Sequence, residues 1–166
     1  MHWTREDDLL AEMSFWVPLP DEADPRWDDE DDAWADAARL LSAADASGEH
    51  GWQEVAVRVY EHAADWDAHG MMQGIRHGPE RAFPGEPGSA AFARRLEPLT
   101  EQVRTGTRLW AVRELGILRQ LSSLPSLLDR TQDPSPAVAA AAVVSVEMLG
   151  QRHPLARQHA RRLTAT

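Results

Sequence analysis

One pattern occurs twice in the last third of this chain, 31 residues apart, and it constrains the fold more than any other feature. Residues 107–118 align with residues 138–149, so that Ala111 falls on Ala142, Val112 on Val143, Leu115 on Val146 and Leu118 on Leu149. Between the copies run Ser123-Leu-Pro-Ser-Leu-Leu128 and then Asp133-Pro-Ser-Pro136. A unit of this length, two short helices and a turn, cannot bury its apolar face alone and has to stack on a neighbour. Stacked helical repeats present a surface, and such surfaces serve partners more often than chemistry.

The rest of the chain also reads as helix. Thr4 can cap a helix over 5–16 with Leu9, Met13 and Trp16 on one face, ended by Pro18 and Pro20. Asp24-Pro25 opens a second helix whose stripe is Trp34, Ala37, Ala38, Leu41 and Ala44, stopped by Gly48. A third, over 51–66, carries Trp52, Val55, Ala56, Val59, Tyr60 and Ala63, and a short helix near 68–76 follows. Gly78-Pro79 and Pro84–Gly88 mark the longest loop. Ser89 can cap the next helix, in which Phe92, Leu96, Leu99 and Val103 recur at helical spacing. Pro125 and Pro134 sit at the starts of the linking helix and the last long one, and 154–163 forms a final basic helix. No segment alternates with period two long enough for a strand. The expected fold is all-α: a single domain forming an α-solenoid (an α/α superhelix) of about four to five helical hairpins, irregular over 1–104 and repeat-like over 105–166.

Residues 105–152 resemble the HEAT-like repeats first noted in phycobilin lyases. Such repeats carry Asp-Pro, a valine–arginine pair, small alanines and a leucine–glycine end. Asp133-Pro134, Val138, Ala139–Ala142 and Leu149-Gly150 match one copy, and Arg108, Ala111, Leu115-Gly116 and Leu118 match the copy before it. Two positions depart from the pattern: Ala139 stands where the second copy would have arginine, and Gln102 where the first would have aspartate. The resemblance therefore implies an incomplete aspartate–arginine ladder. It implies a scaffold or binding role and leaves the chemistry open, since fold does not settle function.

Charge narrows the partners. The first 50 residues hold 15 acids against three arginines, a balance of −12, while the whole chain carries −10. Such a field repels nucleic-acid phosphate and attracts basic proteins. The terminal arginines Arg152, Arg157, Arg161 and Arg162 make the single basic cluster, and arginines at helix C-termini are expected without a nucleic-acid role. With no cysteine there is no disulfide, thiol nucleophile or cysteine metal site. The first residues lack the order of a signal peptide, and no apolar run approaches the roughly 20 residues that span a bilayer. These features predict a cytoplasmic protein with no membrane partner.

Three groups of residues are candidates for function. Asp28, Asp29, Asp31 and Asp32 concentrate negative charge at the start of the second helix. On the polar flank of the third, Arg58, His62, Asp65 and His69 recur at +4, +3 and +4. Arg58 and His62 are candidates for partner contact, and His62, Asp65 and His69 are weak candidates for a metal. Seven residues of straight helix would hold the two histidines about 10 Å apart, whereas ligand atoms sit about 2 Å from one zinc ion. Trp110, Arg113 and Ile117 share a second face of the first repeat helix, either as an interface anchor or as packing against the adjoining repeat. No nucleophile elbow and no phosphate-cradling glycine loop occurs. The sequence thus predicts a non-catalytic protein-binding module without cofactor. Its expected role is a regulatory or inhibitory, immunity-type binder of a basic partner. The alternative is a metal- or cofactor-dependent helper acting on a small molecule.

Overall fold

Prolines open three of the four helices that follow residue 104. Pro125 lies in the first turn of Leu124–Arg130, Pro136 in that of Pro136–Gly150 and Pro154 in that of Pro154–Leu163. At those positions the missing N–H is one that a helix leaves unpaired, and the fixed φ already suits the helix. A computed structural model describes residues 5–17, 24–25, 30–62, 74–75, 78 and 86–165, with the side chains of 5–8, 30–37, 49 and 86–88 left out. Among the described residues there is no strand, and the elements are eight α-helices and two short 3-10 turns. The helices are α1 (Arg5–Trp16), α2 (Glu30–Ala46), α3 (Gly48–Glu61), α4 (Glu86–Leu96), α5 (Thr105–Leu118), α6 (Leu124–Arg130), α7 (Pro136–Gly150) and α8 (Pro154–Leu163). The fold is all-α.

The chain divides into two compact units, Met1–Pro84 and Gly85–Thr166. The boundary between the units precedes α4. Its cause is α4, which packs together with the turn Glu97–Glu101 on α5 and so belongs with the repeats.

In the first unit α1 packs on α2 and α2 on α3. Leu9, Trp16, Leu40, Ala44, Trp52, Val55, Ala56, Val59 and Tyr60 are buried. The stripe expected on α2 is displaced by one residue at its end. Leu40 is fully buried with Ala44, Leu41 is half-buried and Ala38 is exposed. Gly48 adopts φ +64, the left-handed conformation that lets α2 stop and α3 start within two residues. Across that corner the indole N–H of Trp52 donates to Asp45 Oδ1 at 2.9 Å. The third helix ends at Glu61, five residues before its expected end, and His62 is its C-cap.

In the second unit α4 does not run through to Val103. Pro98 lacks the N–H that would bond back to Arg94, and its ring clashes with that carbonyl. The chain therefore leaves α-geometry after Leu96 and continues as the 3-10 turn Glu97–Glu101. Phe92, Leu96 and Leu99 remain buried, but Val103 is 93% exposed, so the regular stripe expected over Phe92, Leu96, Leu99 and Val103 is cut at its last member. Ser89 lies inside α4 instead of capping it.

The two repeat helices are α5 and α7, and they make the most extensive helix–helix contact of the unit. Thr107, Ala111, Leu115 and Leu118 are buried on α5, and Val138, Ala142, Val146 and Leu149 are buried at the corresponding places on α7. The backbones come closest at Gly116. A Cβ there would sit 2.5 Å from Ser145 Oγ and 2.9 Å from Ser145 Cα. The Ser145 hydroxyl, itself buried, donates to the Val112 carbonyl at 2.9 Å. Helix ends in this unit are satisfied by side chains. Arg157 Nε donates to the Gly150 carbonyl at 2.8 Å, a cation on the negative end of α7. Arg119 leaves α5 in the left-handed conformation at φ 52, its N–H still bonded to Leu115. His153 Nε2 hydrogen-bonds the Arg119 carbonyl oxygen at 2.9 Å.

Candidate partner-binding surfaces

The acidic cluster begins outside the described residues. Asp28 and Asp29 precede α2 there, while Asp31 and Asp32 fall in its first turn. Carboxylates at that place face the positive end of the helix macrodipole, which stabilises each by a few tenths of a kcal/mol, about 0.3–1 at most on a surface. The acids are also concentrated by unit: Met1–Pro84 holds 20 acids and 6 arginines, a balance of −14. Gly85–Thr166 holds 7 acids and 11 arginines, a balance of +4.

Of the flank expected to run from Arg58 through His62 to His69, α3 carries Arg58 and ends at Glu61, just before His62. Arg58 is exposed in the last turn of α3, and His62 is exposed beyond its end, with φ −121 and ψ 11. Asp65 and His69, the other two members of the candidate metal set, lie outside the described residues. Among the described residues no three histidine, cysteine or acidic side chains gather to hold a metal ion. What α3 does bring together is His50, Glu54 and Arg58, spaced one turn apart, which border a cavity with Leu9, Leu10 and Met13 of α1. His50 stands near the candidate metal set in sequence, whereas Glu54 is not among the residues that the sequence singles out. The +4, +4 spacing beside the Val55–Val59 stripe was the available signal.

Trp110 is only 6% exposed, which favours packing, one of the two readings its place on a second helix face left open. The Arg113 guanidinium carbon stands 5.4 Å from the centre of its ring, so the tryptophan is roofed by a cation. Arg113 itself is exposed and Ile117 is half-buried. Of the three, Arg113 offers the accessible charge, and Trp110 serves the packing of α5.

The densest cluster of buried charge joins the repeat copies. Arg108 reaches Asp133 through two hydrogen bonds, Nε to Oδ2 at 2.8 Å and Nη2 to Oδ1 at 3.0 Å. Its Nη1 donates to the carbonyls of Gln102 and Val103 at 2.9 and 2.7 Å. Arg130 approaches the same carboxylate at 3.4 Å, and the Ser135 N–H donates to it at 2.9 Å. Burial alone would raise the Asp133 pKa. The Arg108 hydrogen bonds, the Ser135 N–H and the charges of Arg108 and Arg130 outweigh it and hold the carboxyl below its ordinary value. An arginine–aspartate pair thus joins residues 25 apart, while Ala139 and Gln102 carry no charge with which to make another. A second tie runs from the Ser123 hydroxyl to Glu97 Oε1 at 2.9 Å, linking the start of α6 to the turn after α4. These groups are occupied in holding elements together.

No helix among the described residues is long and apolar enough to cross a membrane. In comparisons with protein-family models, with curated proteins and with solved structures, nothing matched the chain.

Proposed function

We propose that this protein is a non-catalytic binding module whose acidic first unit docks a basic partner protein. The partition of charge carries the reading: 20 of the 27 acids lie in Met1–Pro84 against 6 of the 17 arginines. A surface with that imbalance accelerates encounter with a basic partner and discriminates against acidic ones. The resemblance of residues 105–152 to HEAT-like repeats supports a binding role. Strong acidity favours a regulatory or inhibitory, immunity-type binder of a basic partner. The absence of cysteine suits a reducing compartment such as the cytoplasm.

The test uses the full chain and a variant in which Asp28, Asp29, Asp31 and Asp32 are replaced by asparagine. A partner that co-purifies in stoichiometric amount from the source cell is identified, and its affinity for both proteins is measured at low and at physiological salt. The wild type should bind a basic protein, with affinity falling steeply as salt rises. The variant should bind about tenfold more weakly at low salt while keeping its helix content. An acidic partner, or an affinity indifferent to both salt and the four substitutions, would overturn the reading.

A further inference from the structure

The cavity of the first unit has a chemistry that a protein-docking role does not use. It lies between α1 and the α2–α3 corner and encloses about 350 Å³, within the roughly 300–1,000 Å³ range of small-molecule sites. Leu9, Leu10, Met13 and the Ala46 methyl make its apolar wall, and Leu10 is 57% exposed. Its polar edge is one flank of α3, where His50, Glu54 and Arg58 follow at one-turn intervals. Glu54 already has an interaction of its own. Arg58 takes part in no hydrogen bond or ion pair among the described residues, so a permanent cation stands at the mouth of an apolar cavity with its donors uncommitted.

We infer that this cavity binds a small amphiphile with a single carboxylate, its apolar body against Leu9, Leu10 and Met13 and its carboxylate on the Arg58 guanidinium. The planar fork of arginine matches a carboxylate through two parallel hydrogen bonds, which a neutral or cationic head cannot form. The His50 imidazole, two turns from Arg58 along the same flank, adds a hydrogen-bonding group for a second polar atom of the ligand. Glu54, one turn from Arg58 on the same edge, is held by its own interaction, and the field of the more distant acids of this unit is screened beyond about 8 Å at physiological salt. The head is therefore chosen by the charge beside it.

Calorimetric titration of the full chain with decanoate, decanol and decyltrimethylammonium, each below its aggregation limit, tests the assignment. Decanoate should fill one saturable site and bind about tenfold or more tightly than decanol, the margin expected of a hydrogen-bonded charge. The cation should bind more weakly than either. Arg58→Gln should bring decanoate down to the level of decanol and leave decanol unchanged, which separates loss of the head contact from loss of the fold. Met13→Trp, placed to fill the cavity, should weaken both, with circular dichroism verifying that the helices persist. Equal binding of all three probes, non-saturating uptake, or decanoate binding indifferent to both substitutions would overturn the proposal. None of these outcomes bears on whether the acidic surface docks a basic protein.

Discussion

The two repeat helices obey one register and meet different surroundings. At the shared core positions they agree: Thr107 and Val138, Ala111 and Ala142, Leu115 and Val146, Leu118 and Leu149 are buried in pairs. Elsewhere they part. On α5, Leu109, Trp110 and Gly116 are buried, while their counterparts on α7 are exposed Ala140, half-buried Ala141 and exposed Glu147. Helix α5 is closed on nearly every side, by α4, the turn Glu97–Glu101, α6 and α7. Helix α7 keeps an open strip, with Val144 53% exposed on it. A repeat therefore fixes which residues form the seam between copies, and the neighbours decide the rest of each helix.

The largest expected effect tests the rung that α5 has and α7 lacks. The Asp133 side chain is fully buried and holds two hydrogen bonds from Arg108, whose own side chain is 10% exposed. Asp133→Ala leaves that guanidinium buried without its counter-ion and should cost about 3–5 kcal/mol in denaturant unfolding. The same chemistry placed at the register equivalent, Ala139→Arg, has no aspartate to meet and should contribute no stabilisation. Because the Asp133 pKa is depressed in the folded state, its contribution is present above the ordinary carboxylate value of about 3.9 and is lost as pH falls through the lower folded value. Asp133→Asn should therefore show a shallower loss of stability in that acid range than the wild type. An unfolding curve for Asp133→Ala that matches the wild type would mean that the pair does not join the copies.

A smaller effect compares Gly116 with Glu147, its equivalent. A β-carbon at 116 meets the Ser145 backbone, which cannot swing away as a side-chain tip could. Gly116→Val should cost about 1–3 kcal/mol or more through overpacking. Glu147→Val, on the exposed strip, should stay within about 0.5 kcal/mol of the wild type. Thermal unfolding of both variants decides the matter. Equal losses would place the close approach of α5 and α7 somewhere other than Gly116.

Much of this architecture is legible in the sequence because local chemistry dictates it. Pro125 marks α6 and a helix over 154–163 is found at those bounds, while α7 begins at Pro136, two residues after the Pro134 expected to open it. The seam residues follow from the repeat itself. The failures share a cause, which is that periodicity does not report where a helix stops. Val103 fits the spacing of Phe92, Leu96 and Leu99, yet Pro98 breaks the helix between them. His62 fits the spacing set by Arg58, yet α3 ends at Glu61 without a glycine or proline to announce it. The Arg108–Asp133 bond was half visible. Both residues fall at charged positions of the pattern that residues 105–152 resemble, but Gln102 and Ala139 depart from that pattern and hide that one pair can form alone. Trp110 was ambiguous for a further reason: a tryptophan on a second helix face is an anchor or a packing residue according to what covers it, and the cover comes from outside the helix.

The smallest effect isolates that last point. Arg113 and Val144 are register equivalents and both are exposed, but they stand over different residues, Trp110 on α5 and Ala141 on α7. The Arg113 guanidinium lies 5.4 Å from the Trp110 ring centre, close enough for a cation–π attraction of about 0.5–1 kcal/mol at an exposed site. Its aliphatic stem shields the indole as well. Arg113→Ala should therefore cost about 0.5–1 kcal/mol and raise the access of the Trp110 indole to a neutral fluorescence quencher such as acrylamide. A Trp110→Phe background identifies which of the seven tryptophans reports the change. Val144→Ala removes only surface that is already half in water and should shift stability by a few tenths of a kcal/mol. If the two substitutions cost the same and indole access does not change, Trp110 is sealed by other groups. Arg113 would then be as free for a partner as Val144 is, and the difference between the two helices would end at their buried faces.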